Sequence, residues 1–120
     1  METNIDGLEV FEHLGEGYRR QVDGPKWTVA LLNYAERFDE NSLTRVERHL
    51  LTDETFVLLT GEATLVVGLD ARRVRLEPLK LYNVKAGVWH HILVKRGTTV
   101  LIAENSDTSK ANSEYHDVRP

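Results

Sequence analysis

The fold is decided by one stretch of the chain, RVERHLLTDETFVLLTG, which covers residues 45–61. It places three candidate metal ligands, Glu47, His49 and Glu54, within eight residues. Glu47 and His49 are two positions apart, so on a β-strand their side chains leave the same face about 7 Å apart along the chain. Glu54 comes five positions after His49 and would face the opposite way on a continuous strand. We therefore predict a turn at residues 52–53 that returns Glu54 to the same interior.

A fourth candidate ligand, His90, lies in the later stretch AGVWHH, residues 86–91. Gly87 predicts a turn just before a strand, which would aim His90 at the mouth of a barrel. His90 and His91 alternate along that strand, so only one of them can face inward. Imidazole and carboxylate ligands together suit Mn, Fe, Ni, Zn or Co. The two stretches predict a single His and Glu metal site with open positions, where a substrate would be polarised.

The rest of the chain predicts an all-β fold of one domain. Short apolar stretches separated by turn residues every eight to twelve positions are typical of a β-sandwich or barrel. We expect one helical turn within residues 34–42 and another within 107–115. The strands are expected at 7–12, 27–35, 43–51, 54–60, 63–68, 74–77, 79–84, 89–95 and 99–104, with a further edge strand after residue 17. We divide the chain into an N-terminal arm with short edge strands (1–26), a β-barrel (27–105) and a polar C-terminal tail (106–120).

The composition excludes several classes of function. The 120 residues have a formal net charge of -4 and no block rich in Lys or Arg, which argues against a nucleic-acid partner. The apolar runs are far shorter than a membrane span, so we expect no membrane partner. The chain has no cysteine, which excludes disulfides, zinc fingers and cysteine nucleophiles. Residues 1–6 lack the order of a signal peptide, and we predict a cytoplasmic protein.

The spacing Glu47-x-His49-x4-Glu54-x6-Gly61 resembles the first sequence motif of the cupin superfamily. That motif carries His-x-His, three or four residues, Glu, six residues and Gly. Every spacing matches, and Glu47 stands in place of the first His. Gly87-x2-His90 resembles the second cupin motif in the same way. The resemblance implies a double-stranded β-helix, the jelly-roll barrel.

The second motif departs from the superfamily pattern at two positions. Lys85 stands where Pro is usual, two residues before the Gly, and Val94 stands where Asn is usual, four residues after the His. His90 is the position that carries over to the metal. The resemblance therefore implies a divalent transition metal held by the following residues: Glu47, His49, Glu54 and His90.

Within the superfamily, three short segments resemble ureidoglycolate lyase. They are Glu-Arg-His at 47–49, Gly-Glu-Ala at 61–63 and Val-Trp-His-His at 88–91. The similarity covers roughly residues 43–68 and 84–105. It implies a metal-dependent carbon–nitrogen lyase that splits a small α-hydroxy acid, ureidoglycolate, into glyoxylate and urea. It also implies a homodimer, and a polar N-terminal arm that lies over the barrel or across a partner subunit is consistent with this.

Two catalytic roles are assigned with alternatives. Arg45 shares a strand face with Glu47 and His49, where it would bind a substrate carboxylate or pair with Glu47. His91 is the second residue assigned to catalysis; the base itself stays open among His91, Glu62 and Tyr82, and an ordinary surface or core role is favoured for each of the three.

The metal site and the lyase function each have an alternative interpretation. The His and Glu cluster alone would fit a solvated strand face. Cupins host many chemistries, so the alternative functions are a sugar isomerase-like or dioxygenase-like enzyme, or a ligand-binding module without catalysis.

Overall fold

The protein is represented by a computed structural model that describes residues 5–118. Two five-stranded antiparallel sheets make up the fold, with strand orders β1-β2-β9-β4-β7 and β10-β3-β8-β5-β6. The predicted all-β, one-domain, jelly-roll fold is confirmed. The strands are β1 Tyr18–Asp23, β2 Trp27–Asn33, β3 Arg45–His49, β4 Glu54–Thr60, β5 Ala63–Val67, β6 Arg72–Arg75, β7 Tyr82–Val84, β8 His90–Val94, β9 Thr99–Asn105 and β10 Ser113–Asp117.

The core lies between the two sheets because apolar residues alternate with polar ones along each inner strand. Phe56 on β4 is the largest fully buried side chain. Most of the side chains packed around it come from the same alternation. These buried residues are Ala30, Leu32, Leu58, Ala63, Leu65, Ile92, Val94, Val100 and Ile102.

The inward rows of several strands end in polar side chains instead of apolar ones. On β4 the row Phe56 and Leu58 is preceded by Glu54, and on β9 the row Val100 and Ile102 is followed by Glu104. Both carboxylates are buried. Because Phe56 lies opposite Ile102 in the β4–β9 register, the two Glu residues occupy the same end of the barrel. The alternation that builds the core thus creates a polar end.

The N-terminal arm differs from the prediction, because no strand forms between residues 5 and 17. The predicted strand at residues 7–12 alternates apolar and polar residues but has no neighbouring strand within residues 5–118. Its side chains are exposed, and the following Leu14 is 84 % exposed. The predicted edge strand after residue 17 is present as β1.

The C-terminal residues predicted as a polar tail contain a strand as well. Strand β10 pairs with β3 over five residues, with Ser113 opposite His49 and Asp117 opposite Arg45. Its pairing depends on the backbone, which the polar sequence SEYHD does not reveal. Residues 34–42 hold two short 3₁₀ turns and residues 110–112 a third, close to the helical turns expected there. Within residues 5–118 no helix has the length and apolar character to cross a membrane.

Candidate metal centre

The structure brings all four predicted ligands to the polar end of the barrel. Glu47 and His49 project from β3, Glu54 from β4 and His90 from β8. His90 Nε2 lies 2.6 Å from Glu54 Oε1, and His49 Nε2 lies 3.4 Å from the same oxygen. Glu47 Oε1 is 3.8 Å from His49 Nε2. His49, Glu54 and His90 are buried, whereas Glu47 lies at the rim.

The connection between β3 and β4 places Glu54 in the interior, as the offset of five residues requires. Strand β3 ends at His49 and β4 begins at Glu54. The Asp53 carboxylate accepts a hydrogen bond from Ala86 N at 2.9 Å, and Gly87 N donates to His49 O at 2.8 Å. These bonds hold the turn between β3 and β4 against the turn before His90, so the two sequence motifs are in direct contact.

Hydrogen bonds at Nδ1 fix the orientation of the His49 and His90 rings, and thereby the direction in which each Nε2 atom points. The Ser113 hydroxyl donates to Ser109 O at 2.7 Å, so its oxygen accepts from His49 Nδ1 at 2.8 Å. His90 Nδ1 donates to Val88 O at 3.0 Å, because a carbonyl only accepts. Both Nε2 atoms are therefore turned to the carboxylates. Metal-binding histidines are typically held in this way, with the second nitrogen donating to an oxygen of the protein.

A further carboxylate, Glu104 on β9, belongs to this cluster and was missed by the sequence reasoning. Its Oε1 accepts from the Tyr18 hydroxyl at 2.8 Å. Its Oε2 is 3.8 Å from His49 Nε2, is buried, and has no hydrogen-bond partner among the described residues. The signal that could have found it is its position in the inward alternation of β9, where a charged residue is exceptional.

The charges of the cluster shift each other's pKa values in the metal-free protein. Burial alone would raise the pKa of Glu54, but the hydrogen bonds from His49 and His90 outweigh burial and lower the pKa to about 2. Burial would lower the pKa values of both histidines, yet Glu54 raises them. Burial, together with the charge of Glu54, raises the pKa of Glu104 to about 7. The carboxylates and imidazoles of the cluster therefore influence one another's protonation.

The residues present fit a metal ion by their chemistry and spacing. Donor atoms of Glu47, His49 and His90 lie within 4.8 Å of one another, and so do those of His49, Glu54 and Glu104. Ligands bound at about 2.0–2.2 Å to one ion are about 3–4 Å apart, so these spacings are compatible with coordination. Buried polar atoms usually have a partner, and Glu104 Oε2 lacks one. Two imidazoles with carboxylates suit a divalent transition metal.

Arg45 does not pair with Glu47, so the ion pair considered as an alternative is not formed. The Arg45 guanidinium lies 4.2 Å from the centre of the Tyr115 ring, and no carboxylate of residues 5–118 forms an ion pair with it. Its side chain lines a cleft of about 520 Å³ that also contains Glu47 and His91. Asp117, opposite Arg45 in the β3–β10 register, also lines this cleft, but it forms no ion pair with Arg45.

The side chain of His91 lies on the opposite face of β8 from that of His90, as the alternation predicts. His91 is opposite Val66 in the β5–β8 register. Its ring stacks on Phe38 with the ring centres 6.0 Å apart. Burial, followed by the positive charges of His90 and Arg37, lowers the pKa of His91 to about 4. The imidazole is consequently neutral at physiological pH. The other candidate bases, Glu62 and Tyr82, do not line the cavity at the centre.

Two spaces with shared lining residues lie at the cluster. A cavity of about 200 Å³ holds the predicted ligands together with Glu104 and Tyr18, and the larger cleft lies beside it. Strand β3 pairs with β8 through a single residue pair in the described chain, Glu47 with His90, and the first 3₁₀ turn packs beside this short contact. The residues that line both spaces are Arg37, Phe38, Glu47 and His91.

The Glu104→Gln variant should be more stable than the wild type in chelator-treated protein at pH 8. Because the pKa of Glu104 is raised in the folded state, stability is lost as pH rises from about 4.5 to about 7. Gln cannot ionise but can still accept from Tyr18, so it avoids this loss. After discounting for solvent screening, we expect a gain of about 1–2 kcal/mol at pH 8.

Urea unfolding at pH 5 and pH 8 measures this difference. The gain should largely vanish at pH 5, and the same change at exposed Glu16 should have little effect at either pH. A gain of equal size at both pH values would show that Glu104 does not hold its proton more tightly in the folded protein.

Comparison with known proteins gives structural neighbours only, since neither a family model nor a curated sequence matches the chain. The structure of Pac13, described as a unique nucleoside dehydratase, is similar with a TM-score of 0.61 at 9 % identity and covers 93 % of this chain and 95 % of its own. Pac13 from Streptomyces has also been solved with uridine.

Two other neighbours share the fold at comparable similarity. A cupin-2 domain protein from Shewanella frigidimarina NCIMB 400 gives a TM-score of 0.56 at 18 % identity, covering 80 % of this chain and 84 % of its own. The iron(II) form of HppE in complex with substrate gives a TM-score of 0.58 at 19 % identity. The match covers 80 % of this chain and 56 % of the HppE chain. Identities this low establish the fold alone, and by that fold the chain is a cupin-type jelly-roll barrel.

Proposed function

We propose that the protein is a metal-dependent lyase whose centre is held by Glu47, His49, Glu54 and His90. The observation that supports it is the pair of imidazoles whose Nδ1 atoms are tied to oxygens while both Nε2 atoms converge on Glu54. A bound divalent transition metal would act as a Lewis acid that polarises substrate oxygens and lowers the pKa of a substrate hydroxyl. The residues around it would bind the substrate and move its protons.

The substrate we propose is a small α-hydroxy acid, with ureidoglycolate as the first compound to test. The cavity of about 200 Å³ is smaller than the roughly 300–1,000 Å³ of sites for drug-sized ligands, which favours a small molecule. Arg37 and Arg45 line the adjoining cleft, and neither pairs with a carboxylate of the described chain. A guanidinium binds a carboxylate through two parallel hydrogen bonds. We assign this contact to Arg45.

Cleavage needs one proton to leave the substrate hydroxyl and one to reach the leaving nitrogen. We propose that Glu104 Oε2, the buried acceptor without a partner, takes the hydroxyl proton while the carbon–nitrogen bond breaks with its electron pair on nitrogen. Returning the proton to that nitrogen gives urea, and the carbon becomes the aldehyde of glyoxylate. His91, neutral and at the rim, is the other candidate base. Replacing each by Gln distinguishes them, since loss of the base lowers kcat more than it changes KM.

Purified protein loaded with Mn²⁺ or Ni²⁺ provides the test. We expect ureidoglycolate to yield glyoxylate and urea in equal amounts, and chelation to stop the reaction. A metal-loaded protein that releases no glyoxylate would reject this substrate. If it still bound α-hydroxy acids without turnover, the chain would be a ligand-binding module rather than an enzyme.

Replacing Arg45 with alanine should raise KM for an α-hydroxy acid by about 10- to 100-fold, because a charge-assisted contact is worth about 1.5–3 kcal/mol. The change in kcat should be smaller, since the arginine holds the substrate away from the breaking bond. Arg48→Ala is the matched control, because Arg48 lies on the opposite face of the same strand against Trp89. Equal effects of the two changes on KM would argue against the assignment.

A further inference from the structure

The joining segment between β9 and β10, residues 106–112, is polar in sequence yet forms part of the wall of the metal cavity. Thr108 and Ser109 line this cavity together with Ser113, the first residue of β10. Strand β9 belongs to the first sheet and β10 is an edge strand of the second, so the joining segment passes from one sheet to the other. It crosses the polar end of the barrel, because β9 ends just after Glu104. The joining segment is therefore one side of the metal centre.

Two hydrogen bonds from Arg20 fasten the joining segment to the first sheet. The guanidinium donates to Ser106 O at 3.2 Å and to Thr108 O at 3.0 Å. Both acceptors are backbone carbonyls, so Arg20 holds the backbone of the segment in its closed path across the cavity. Arg20 shares its face of β1 with Tyr18, two positions earlier, and both side chains line the cavity. Because bonds from a charged donor are about twice as strong as neutral ones, loss of Arg20 should loosen the segment.

The other end of the joining segment sets the direction of the hydrogen bond at His49. The Ser113 hydroxyl has one hydrogen, and Ser109 O accepts it at 2.7 Å. The Ser113 oxygen is left to accept from His49 Nδ1 at 2.8 Å, so in a neutral imidazole the proton lies on Nδ1. Nε2 then carries a lone pair, as metal binding requires. With Ser109 moved away, the Ser113 hydroxyl is free to donate to Nδ1, which would put the proton on Nε2.

We propose that Ser113 is a positioning residue for His49, and that metal binding is coupled to closure of the joining segment over the cavity. The inference rests on the metal centre of the proposed function, although not on the lyase reaction. The closed segment holds the tautomer of His49 that binds metal, and bound metal favours the tautomer that bonds to the closed segment. Such coupling is reciprocal: the factor by which closure raises metal affinity is also the factor by which metal raises the equilibrium constant for closure.

Trypsin cleavage after Lys110 measures closure, because Lys110 is exposed and lies in the joining segment. Cleavage there requires local opening of the 3₁₀ turn, which the capping bonds of Ser109 and Asn112 hold closed. Saturating Mn²⁺ or Ni²⁺ should slow this cleavage by about 10- to 100-fold, the usual effect of a hydrogen-bond partner on a metal-binding histidine. Cleavage after Lys80, in the exposed loop between β6 and β7, should not depend on metal and reports the activity of trypsin itself. Mass spectrometry separates the two products.

Two changes at Ser113 separate the hydroxyl from the strand that carries it. Ser113→Ala should weaken metal binding by about 10- to 100-fold in calorimetry. It should also remove the metal dependence of cleavage after Lys110, even when excess metal fills the site. Ser113→Thr keeps the hydroxyl and should restore both properties, because a β-strand tolerates a β-branched residue. A residue that only stabilised the fold would change the rate of cleavage without changing its dependence on metal.

Arg20→Met tests the other end of the joining segment. Cleavage after Lys110 should be at least about tenfold faster, with or without metal, because two charge-assisted bonds to the segment are lost. Arg19→Met is the matched control, since this neighbouring arginine is exposed on the other face of β1. Its cleavage rate should equal that of the wild type.

Three results would overturn the coupling and leave the metal centre in place. They are a wild type that binds metal without slower cleavage after Lys110, wild-type metal affinity in Ser113→Ala, and equal cleavage rates in Arg20→Met and Arg19→Met. A wild type that binds no metal would overturn the coupling and the metal centre together. A protein that binds metal, shows the coupling and forms no glyoxylate would reject only the lyase reaction, so the two proposals fail separately.

Discussion

Replacing His90 with alanine is expected to lower metal affinity by more than about 100-fold and to abolish turnover. Changes to residues that only support a ligand already cost 10- to 100-fold, so loss of a ligand should cost more. His49→Ala should have the same effect, because its Nε2 atom also faces Glu54. Isothermal titration with Mn²⁺, Co²⁺ or Ni²⁺ measures the affinity directly.

The chain offers a matched control at the neighbouring position. His91 has the same side chain but lies on the other face of β8, where its ring stacks on Phe38. His91→Ala should change metal affinity only slightly, whatever it does to catalysis. If His90→Ala and His91→Ala weakened metal binding equally, the assignment of His90 as a ligand would be wrong.

Substituting Gly61 with alanine should destabilise the fold strongly. Gly61 directly follows β4 with φ +87°, a conformation that costs an L-residue about 1–2 kcal/mol. An added Cβ would also overlap Thr98, lying 2.6 Å from its Cα. The Thr98 hydroxyl bonds to Glu62 N and O, so it cannot easily move away. Overpacking of this kind costs about 1–3 kcal/mol more.

Gly87→Ala separates the two causes. Gly87 has nearly the same φ, +82°, but a Cβ there would meet no atom within 4 Å. Only the cost of the backbone conformation should remain, so Gly61→Ala should be less stable than Gly87→Ala by about 1–3 kcal/mol in urea unfolding. If both variants lost the same free energy of unfolding, the close contact between Gly61 and Thr98 would not constrain the barrel.

Strand parity and spacing predicted much of the candidate centre. The two-residue spacing of Glu47 and His49 puts both on the inward face of β3, and the odd offset of Glu54 required the turn that the structure contains. The alternation at residues 90–91 allowed one inward histidine, which is His90. These features are local, because they follow from the period of a strand and from one turn.

The remaining features depend on long-range pairing. Glu104 belongs to the centre because β9 lies between β2 and β4, and no local pattern brings it near His49. Ser113 reaches His49 through a polar strand that pairs by its backbone. Residues 7–12 have the alternation of a strand but no partner strand in the part of the chain that the structure describes, so the predicted strand is absent. A local pattern predicts a tendency, and the neighbours decide the outcome.

The most direct test of the metal centre is the metal content of the purified protein. Wild-type chain loaded with Mn²⁺, Co²⁺, Ni²⁺ or Zn²⁺ and freed of excess metal by gel filtration should retain about one ion per chain by elemental analysis, and a variant with both His49→Ala and His90→Ala should retain almost none. Wild-type protein that retains none of these metals, with no thermal shift on their addition, would contradict the account.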